Sequence, residues 1–180
     1  RCASLFLYDV HNSLVEENEF YYLSFEGLKL ASGNDNVMRR NYLHPRDWAT
    51  SFGQAQVSHI SLYCCGSIQR NILQNNIVEG YGYPVQESAN TSGVRDNQIL
   101  GTLAINTPGM IIEERGGSTA KNTLIKNLVQ LTGFSEHGGM KLWGASGALI
   151  ENVTLWFNGG DAARGFIADG SCIEGDGGAC

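Results

Sequence analysis

The stretch Leu149-Ile150-Glu151-Asn152-Val153-Thr154-Leu155 carries the pattern that decides the fold. An apolar residue is followed three positions later by asparagine, and a large or apolar residue usually comes two positions after that. Successive asparagines in this pattern are 23, 35, 21, 30 and 25 residues apart, and periods of this size indicate a protein built from repeats. The pattern occurs at Asn18, Asn41, Asn76, Asn97, Asn127 and Asn152.

Each copy predicts a short strand that ends in a corner. Asparagine tolerates left-handed backbone geometry and bonds its own backbone, so it suits a tight bend. In stacked coils the amides of successive asparagines bond one another, as in the asparagine ladders of cross-β assemblies. We therefore expect all six asparagines to stack at one corner, largely buried.

A second apolar run follows each copy, and most of these runs begin after a glycine. Several alternate apolar with polar residues, which is typical of half-buried strands. Two or three short strands per coil, separated by corners, predict an all-β protein that folds as a right-handed parallel β-helix of about six coils. Neither terminus offers a capping element, so residues 1–180 are expected to be one segment of a longer solenoid. The runs include Leu28, Ile60, Val85, Ile111, Leu142 and Phe166.

The repeated pattern resembles the parallel β-helix repeat family, which pectate-lyase-like enzymes share with large eukaryotic extracellular proteins. The resemblance covers roughly residues 10–170 and concerns the fold rather than the chemistry. Residues 165–170, Gly-Phe-Ile-Ala-Asp-Gly, are similar to a Gly-Phe-Phe-Leu-Glu-Asp-Gly strand of those extracellular proteins, with Ala168 in place of the acidic residue. The resemblance implies a section of such a protein.

Composition narrows the class of partner. The net charge is −6 and there is no basic run, which argues against nucleic acid. No stretch approaches the ~20 apolar residues of a membrane-spanning helix. The odd number of cysteines (five) leaves the disulfide pairing open, and two glycosylation sequons favour an extracellular or cell-surface location. Of these sequons we expect Asn90, in a long loop, to carry sugar and Asn152, in the ladder, to carry none.

Two long connections are candidate binding loops. Residues 43–53 enlarge one coil, and insertions in solenoids form loops on one side, often the binding side. There Trp48, Arg46 and Asp47 are candidates for a sugar-binding patch, with Tyr81 and Tyr83 of a second loop (residues 80–93) beside them. The alternatives are that Trp48 folds back on its own coil and that the second loop is an ordinary solvated corner.

Two clusters suggest catalysis. Residues 136–141, with His137 and Lys141, resemble elements of the polygalacturonases, but the paired aspartates that such enzymes use to activate water have no counterpart here. Further along the sequence is a second cluster, similar to the calcium-binding carboxylates and basic residue of pectate lyases, made up of Asp161, Arg164, Asp169, Glu174 and Asp176. These carboxylates are weak candidates for Ca²⁺, and no other cofactor is predicted.

These observations favour a non-enzymatic structural or adhesive segment of an extracellular protein. Its expected partners are further β-helix repeats, from the same protein or a neighbouring subunit, and glycans. The alternative is a fragment of a polysaccharide lyase or glycoside hydrolase that acts on acidic polysaccharide, in which Lys141 would be the lyase base.

Overall fold

The computed structural model describes residues 3–22, 26–45, 58–63, 66–80, 83–89, 93–107, 110–114, 120–132, 140–143, 145–157 and 166–169. All regular structure in these residues is β-strand, and every strand pairing is parallel. The chain passes from sheet to sheet and returns one layer higher, so the fold is a parallel β-solenoid. This confirms the predicted fold class. The solenoid has about four full turns, slightly fewer than the six coils predicted, because the fourth sheet has only three strands while two of the others have six.

Sheet I has seven strands, one from each successive passage of the chain. Its inward positions stack in register, so leucine lies on leucine from one turn to the next. Its strands are β1 (Ala3–Leu7), β4 (Glu26–Leu30), β8 (Ser58–Tyr63), β12 (Tyr83–Ala89), β16 (Met110–Glu114), β19 (Met140–Trp143) and β22 (Phe166–Asp169).

Sheet II has six strands of three residues each. The middle residue of each strand points into the core, and the two outer residues face away from it. Its strands are β2 (Leu14–Glu16), β6 (Val37–Arg39), β10 (Ile72–Gln74), β14 (Gln98–Leu100), β17 (Leu124–Lys126) and β20 (Leu149–Glu151).

Sheet III also has six strands and follows sheet II after a single corner. Its strands are β3 (Glu19–Tyr22), β7 (Tyr42–Pro45), β11 (Ile77–Glu79), β15 (Leu103–Ile105), β18 (Val129–Thr132) and β21 (Thr154–Phe157).

Sheet IV has three two-residue strands that connect sheet I to sheet II, namely β5 (Gly33–Asn34), β9 (Ile68–Gln69) and β13 (Val94–Arg95). The core between the sheets is a set of apolar columns, each built from equivalent positions of successive turns. Leu30, Leu62, Leu73 and Ile99 are fully buried in it. Burying a side chain of this size contributes about 1.5–3 kcal/mol, so stacking supplies the apolar burial that no single coil achieves.

The corners on either side of sheet II share one backbone device. The residue just before each buried corner position has positive φ, for example Arg40 at 54° and Asn75 at 53°. This left-handed residue turns the chain, and the next residue points inward. Asparagine is favoured at both positions, at the first for its backbone tolerance and at the second for its amide.

The structure therefore contains two asparagine ladders instead of the single one predicted. Before sheet III, Asn18 and Asn41 each donate through Nδ2 to Oδ1 of the next asparagine, at 3.1 Å in both cases, and the series ends at Asn76. Before sheet II, Asn36 Nδ2 donates to Asn71 Oδ1 at 2.9 Å, and Asn71 Nδ2 donates to Asn97 Oδ1 at 3.0 Å. Within each turn the chain reaches the corner before sheet II first. We therefore call the ladder before sheet II the first ladder and the ladder before sheet III the second ladder.

The prediction of one buried ladder is thus correct in stacking for Asn18, Asn41 and Asn76, and in burial for Asn41 and Asn76 among these. Asn97 belongs to the first ladder, while Asn127 and Asn152 occupy left-handed corner positions, with φ of 56° and 51°, and are exposed. Asn18, at the outermost turn, is also exposed rather than buried. The pattern of one apolar residue and one asparagine fits both corner positions, so it does not distinguish an inward amide from an outward one.

Candidate functional site: the outer face of sheet III

The outward positions of sheet III form a flat surface that crosses six strands, which we call the exposed face. Two columns of side chains make it up, since every second residue of a strand points to the same side. The first column comprises Glu19, Tyr42, Ile77, Leu103, Val129 and Thr154. The second comprises Tyr21, His44, Glu79, Ile105, Leu131 and Trp156.

The exposed face is where apolar surface is concentrated. Five of the nine large hydrophobic side chains that are exposed among the described residues lie on it, including Trp156 at 53% and Leu131 at 37%. Single exposed apolar residues are ordinary, whereas a contiguous patch usually marks an interaction surface. The apolar residues occupy neighbouring strands, so they form such a patch.

An aromatic cluster closes one end of the patch. The rings of Tyr42 and His44 stack with centroids 4.4 Å apart, and Tyr21 leans against His44 at 5.1 Å. The Tyr42 hydroxyl donates to Glu79 Oε2 at 2.6 Å, and His44 Nε2 lies 2.8 Å from Glu19 Oε1. The hydrogen bond to Glu79 raises the pKa of Tyr42 to about 12. The cluster therefore combines three stacked or tilted rings with two carboxylates, those of Glu19 and Glu79.

The second ladder positions this end of the face. Asn41 Nδ2 donates to Val15 O at 3.0 Å, and Asn76 Nδ2 donates to Met38 O at 2.9 Å. Each of these asparagines lies immediately before a strand of sheet III and bonds the middle residue of a sheet II strand one turn away. The spacing of the first strands of the face is consequently held by amide hydrogen bonds at the corner.

Sheet I carries a polar cluster whose side chains bond one another. Lys29 Nζ lies 2.9 Å from Glu26 Oε1 and 5.1 Å from the centre of the Tyr63 ring. Ser58 Oγ donates to Gln86 Oε1 at 2.7 Å. The pairing with Glu26 neutralises Lys29, and both side chains are buried. This cluster is therefore shielded from solvent, unlike the exposed face.

The interior holds an acid among leucines. Glu87 shares a register column with Leu30 and Leu62 and is fully buried. Its Oε1 accepts from Asn97 Nδ2 and its Oε2 accepts from Thr123 Oγ1, each at 2.9 Å. Burial raises the pKa of Glu87 to about 7, although both hydrogen bonds act in the opposite direction.

Most of the side chains singled out from the sequence lie outside the described residues. Lys141 is in β19, in register with Ile111 and Ile167, and Asp169 is in β22 opposite Trp143, with only their backbones described. Their proposed roles stay predictions. Those outside are Arg46, Asp47, Trp48, Tyr81, Asn90, His137, Asp161, Arg164, Glu174 and Asp176.

Tyr83 lies elsewhere than the sequence suggested. The predicted loop over residues 80–93 contains strand β12, and Tyr83 is its first residue, only 7% exposed. The strand pairs with β8, and Tyr83 aligns with Ser58. The loop prediction is wrong for this stretch because pairing with the neighbouring turn continues through it.

Asn152 is likewise in a different environment from the one predicted. It is exposed, and its Nδ2 donates to Asn127 Oδ1 at 2.7 Å on the outside of the corner. The argument that its amide is committed inside a buried stack is wrong. The second sequon is therefore open to solvent at its acceptor residue.

The exposed face was missed because the sequence pattern suggests the opposite orientation. In β18, alternation places Val129 and Leu131 inside and Gln130 outside. The structure places Gln130 at 0% exposure and the two apolar residues at 37%. A signal was present: apolar residues flank a small or polar central residue in both β15 and β18.

The described residues contain no group of three or more histidine, cysteine, aspartate or glutamate side chains arranged to hold a metal ion. Within the same residues there is no helix of the length and apolarity that crossing a membrane requires. Comparison with protein-family models, curated proteins and solved structures finds no match for this chain.

Proposed function

We propose that this chain is a non-enzymatic structural or adhesive segment of an extracellular protein, and that it acts by presenting the exposed face to another macromolecule. The observation that supports this is the contiguous apolar patch on the exposed face, in which Ile77, Leu131 and Trp156 are 40%, 37% and 53% exposed. Cores of protein interfaces are apolar and depleted in charge, and the outward side chains of β15, β18 and β21 on this face include no charged residue.

The architecture suits such a role. A stack of parallel strands with amide ladders at two corners holds a flat surface without needing a ligand or a moving part. Charged side chains pair with one another at the corners and on sheet II, as Arg70 does with Asp35 at 2.6 Å and Lys126 with Glu151 at 2.8 Å. The flat apolar face between them is consequently the surface on which contact with a partner removes most apolar area from water.

The experiment compares the same substitution at two exposed leucines, Leu131 at 37% and Leu149 at 53%. Retention on a phenyl-agarose column is measured for the wild type, for Leu131→Glu on sheet III and for Leu149→Glu on sheet II. We expect Leu131→Glu to reduce retention strongly and Leu149→Glu to reduce it much less, because Leu149 stands outside the patch. Equal losses would contradict the assignment of the face.

A second assay addresses the alternative function. Pectin, alginate and a glycosaminoglycan are incubated with the chain, and the ultraviolet absorbance of new unsaturated ends is followed. We expect no cleavage. Cleavage that Lys141→Ala abolishes would replace the structural proposal with the lyase.

A further inference from the structure

We propose that the partner of the exposed face is a second copy of this chain, packed face to face with its turns running in the opposite direction. The proposal rests on the function proposed above and adds the identity and orientation of the partner. Its starting point is that the face has two unlike ends, an aromatic and acidic one at β3 and β7 and an apolar one at β18 and β21.

A two-fold axis parallel to the strands makes these ends complementary. This axis sets the first strand of one copy against the last strand of the other, and each outward column against itself. Tyr21 then lies opposite Trp156 of the other copy, and Ile77 lies opposite its Leu103. His44 meets Leu131, so every aromatic side chain of one copy finds an apolar partner on the other.

Charge favours the same arrangement. The carboxylates of the face, Glu19 and Glu79, both belong to its first three strands. In the antiparallel arrangement they lie opposite Thr154 and Ile105, and Glu79 keeps the hydrogen bond from Tyr42. A two-fold axis along the solenoid would set each turn against itself and bring equivalent carboxylates within about 7 Å of one another, which is unfavourable.

The small area of the face limits the strength of the dimer contact. Six strands about 4.8 Å apart and about 13 Å long give ~400 Å² per copy, roughly half of a standard interface. The dimer is therefore weak and forms where the chain is concentrated. Other copies of the same chain in an assembly supply that concentration, whereas an unrelated soluble partner would not.

The main experiment is sedimentation equilibrium of the purified chain over a wide concentration range. We expect a monomer–dimer equilibrium for the wild type. Leu131→Glu occurs twice in the symmetric interface and should raise the dissociation constant at least about tenfold, because it buries a second carboxylate opposite His44, whose Nε2 already lies 2.8 Å from Glu19 Oε1. Leu149→Glu, on sheet II, should leave it unchanged. Circular dichroism verifies folding, and Trp156→Ser replaces Leu131→Glu if the latter unfolds.

The orientation has its own test. Tyr21→Lys and Trp156→Glu should each weaken the dimer, and the double variant should recover affinity because the new charges of opposite sign face each other. Additive losses in the double variant would overturn the antiparallel arrangement.

The outcomes separate this proposal from the one on which it rests. A wild type that stays monomeric at every concentration overturns the second copy as partner. If Leu131→Glu still lowers retention on phenyl-agarose in that case, the face binds a different macromolecule and the proposed function stands. If neither measurement depends on Leu131, both proposals are wrong.

Discussion

Glu87 Oε1 accepts a hydrogen bond from Asn97 Nδ2 at 2.9 Å, so the first asparagine ladder is bonded to an acid that stands in a column of leucines. The other carboxylate oxygen bonds Thr123, which occupies the next ladder position and is too short to continue the amide series. The acid thus bridges two turns across the core. It satisfies polar groups that an apolar residue would leave without partners.

This bridge makes stability depend on pH. The pKa of Glu87 is raised from 4.5 to about 7, so the folded state holds a proton that the unfolded state has lost between these values. Stability from this group is fully present below pH 4.5 and falls as the pH rises toward 7, by an amount on the order of 3 kcal/mol. Glu87→Gln should abolish that loss. Chemical denaturation at several pH values between 4 and 8 measures the slope. An unchanged slope in the variant would contradict the assignment.

His59 should produce a slope of the opposite sign. It is fully buried, its Nε2 lies 3.2 Å from Gly80 O, and desolvation lowers its pKa from 6.5 to about 4. Stability from the neutral ring is fully present above pH 6.5 and is lost as the pH falls toward 4. We expect His59→Gln to flatten the acid side of the stability profile and leave the Glu87 slope in place. Loss of both slopes together would show that the two groups are coupled.

The two kinds of asparagine should respond differently to the same change. Asn76→Asp replaces the amide that donates to Met38 O and places a carboxylate in a fully buried position, which should lower the free energy of unfolding by roughly 2–4 kcal/mol. Asn127→Asp changes an exposed left-handed corner and keeps the oxygen that accepts from Asn152, so its effect should stay within about 0.5 kcal/mol. Urea titrations of both variants decide the matter, and equal effects would count against two distinct corner positions.

Glycosylation tests the exposure of the corner. If the chain passes through a glycosylating secretory pathway, Asn152 should carry sugar, because its amide is on the solvent side and only one of its two amide hydrogens is used, toward Asn127. This reverses the expectation from the sequence. Glycopeptide mass spectrometry of the secreted chain provides the measurement, with Asn152→Gln as the control. A fully unmodified Asn152 alongside a modified Asn90 would contradict it.

The repeat pattern alone was sufficient for the fold class. Short apolar runs, glycines and asparagines at regular distances predict a solenoid because each of these residues favours a local geometry, a strand or a corner, that depends little on the rest of the chain. The ladder was predicted for the same reason, and Asn41 and Asn76 have the burial and the amide bonds expected of them.

Only the tertiary structure decided which side chains face inward. A shift of one residue moves a strand's side chains to the opposite face, and short strands such as β18 carry too few residues to specify that choice by themselves. The neighbouring turns impose it: Gln130 is buried because it aligns with Ala104 and Leu155, and Val129 and Leu131 are thereby turned outward. Stacking likewise places Asn97 at an inward corner position and Asn127 at an exposed, left-handed one. Local sequence thus determined the strands and corners of this protein, while stacking determined its core, its buried acid and its exposed face.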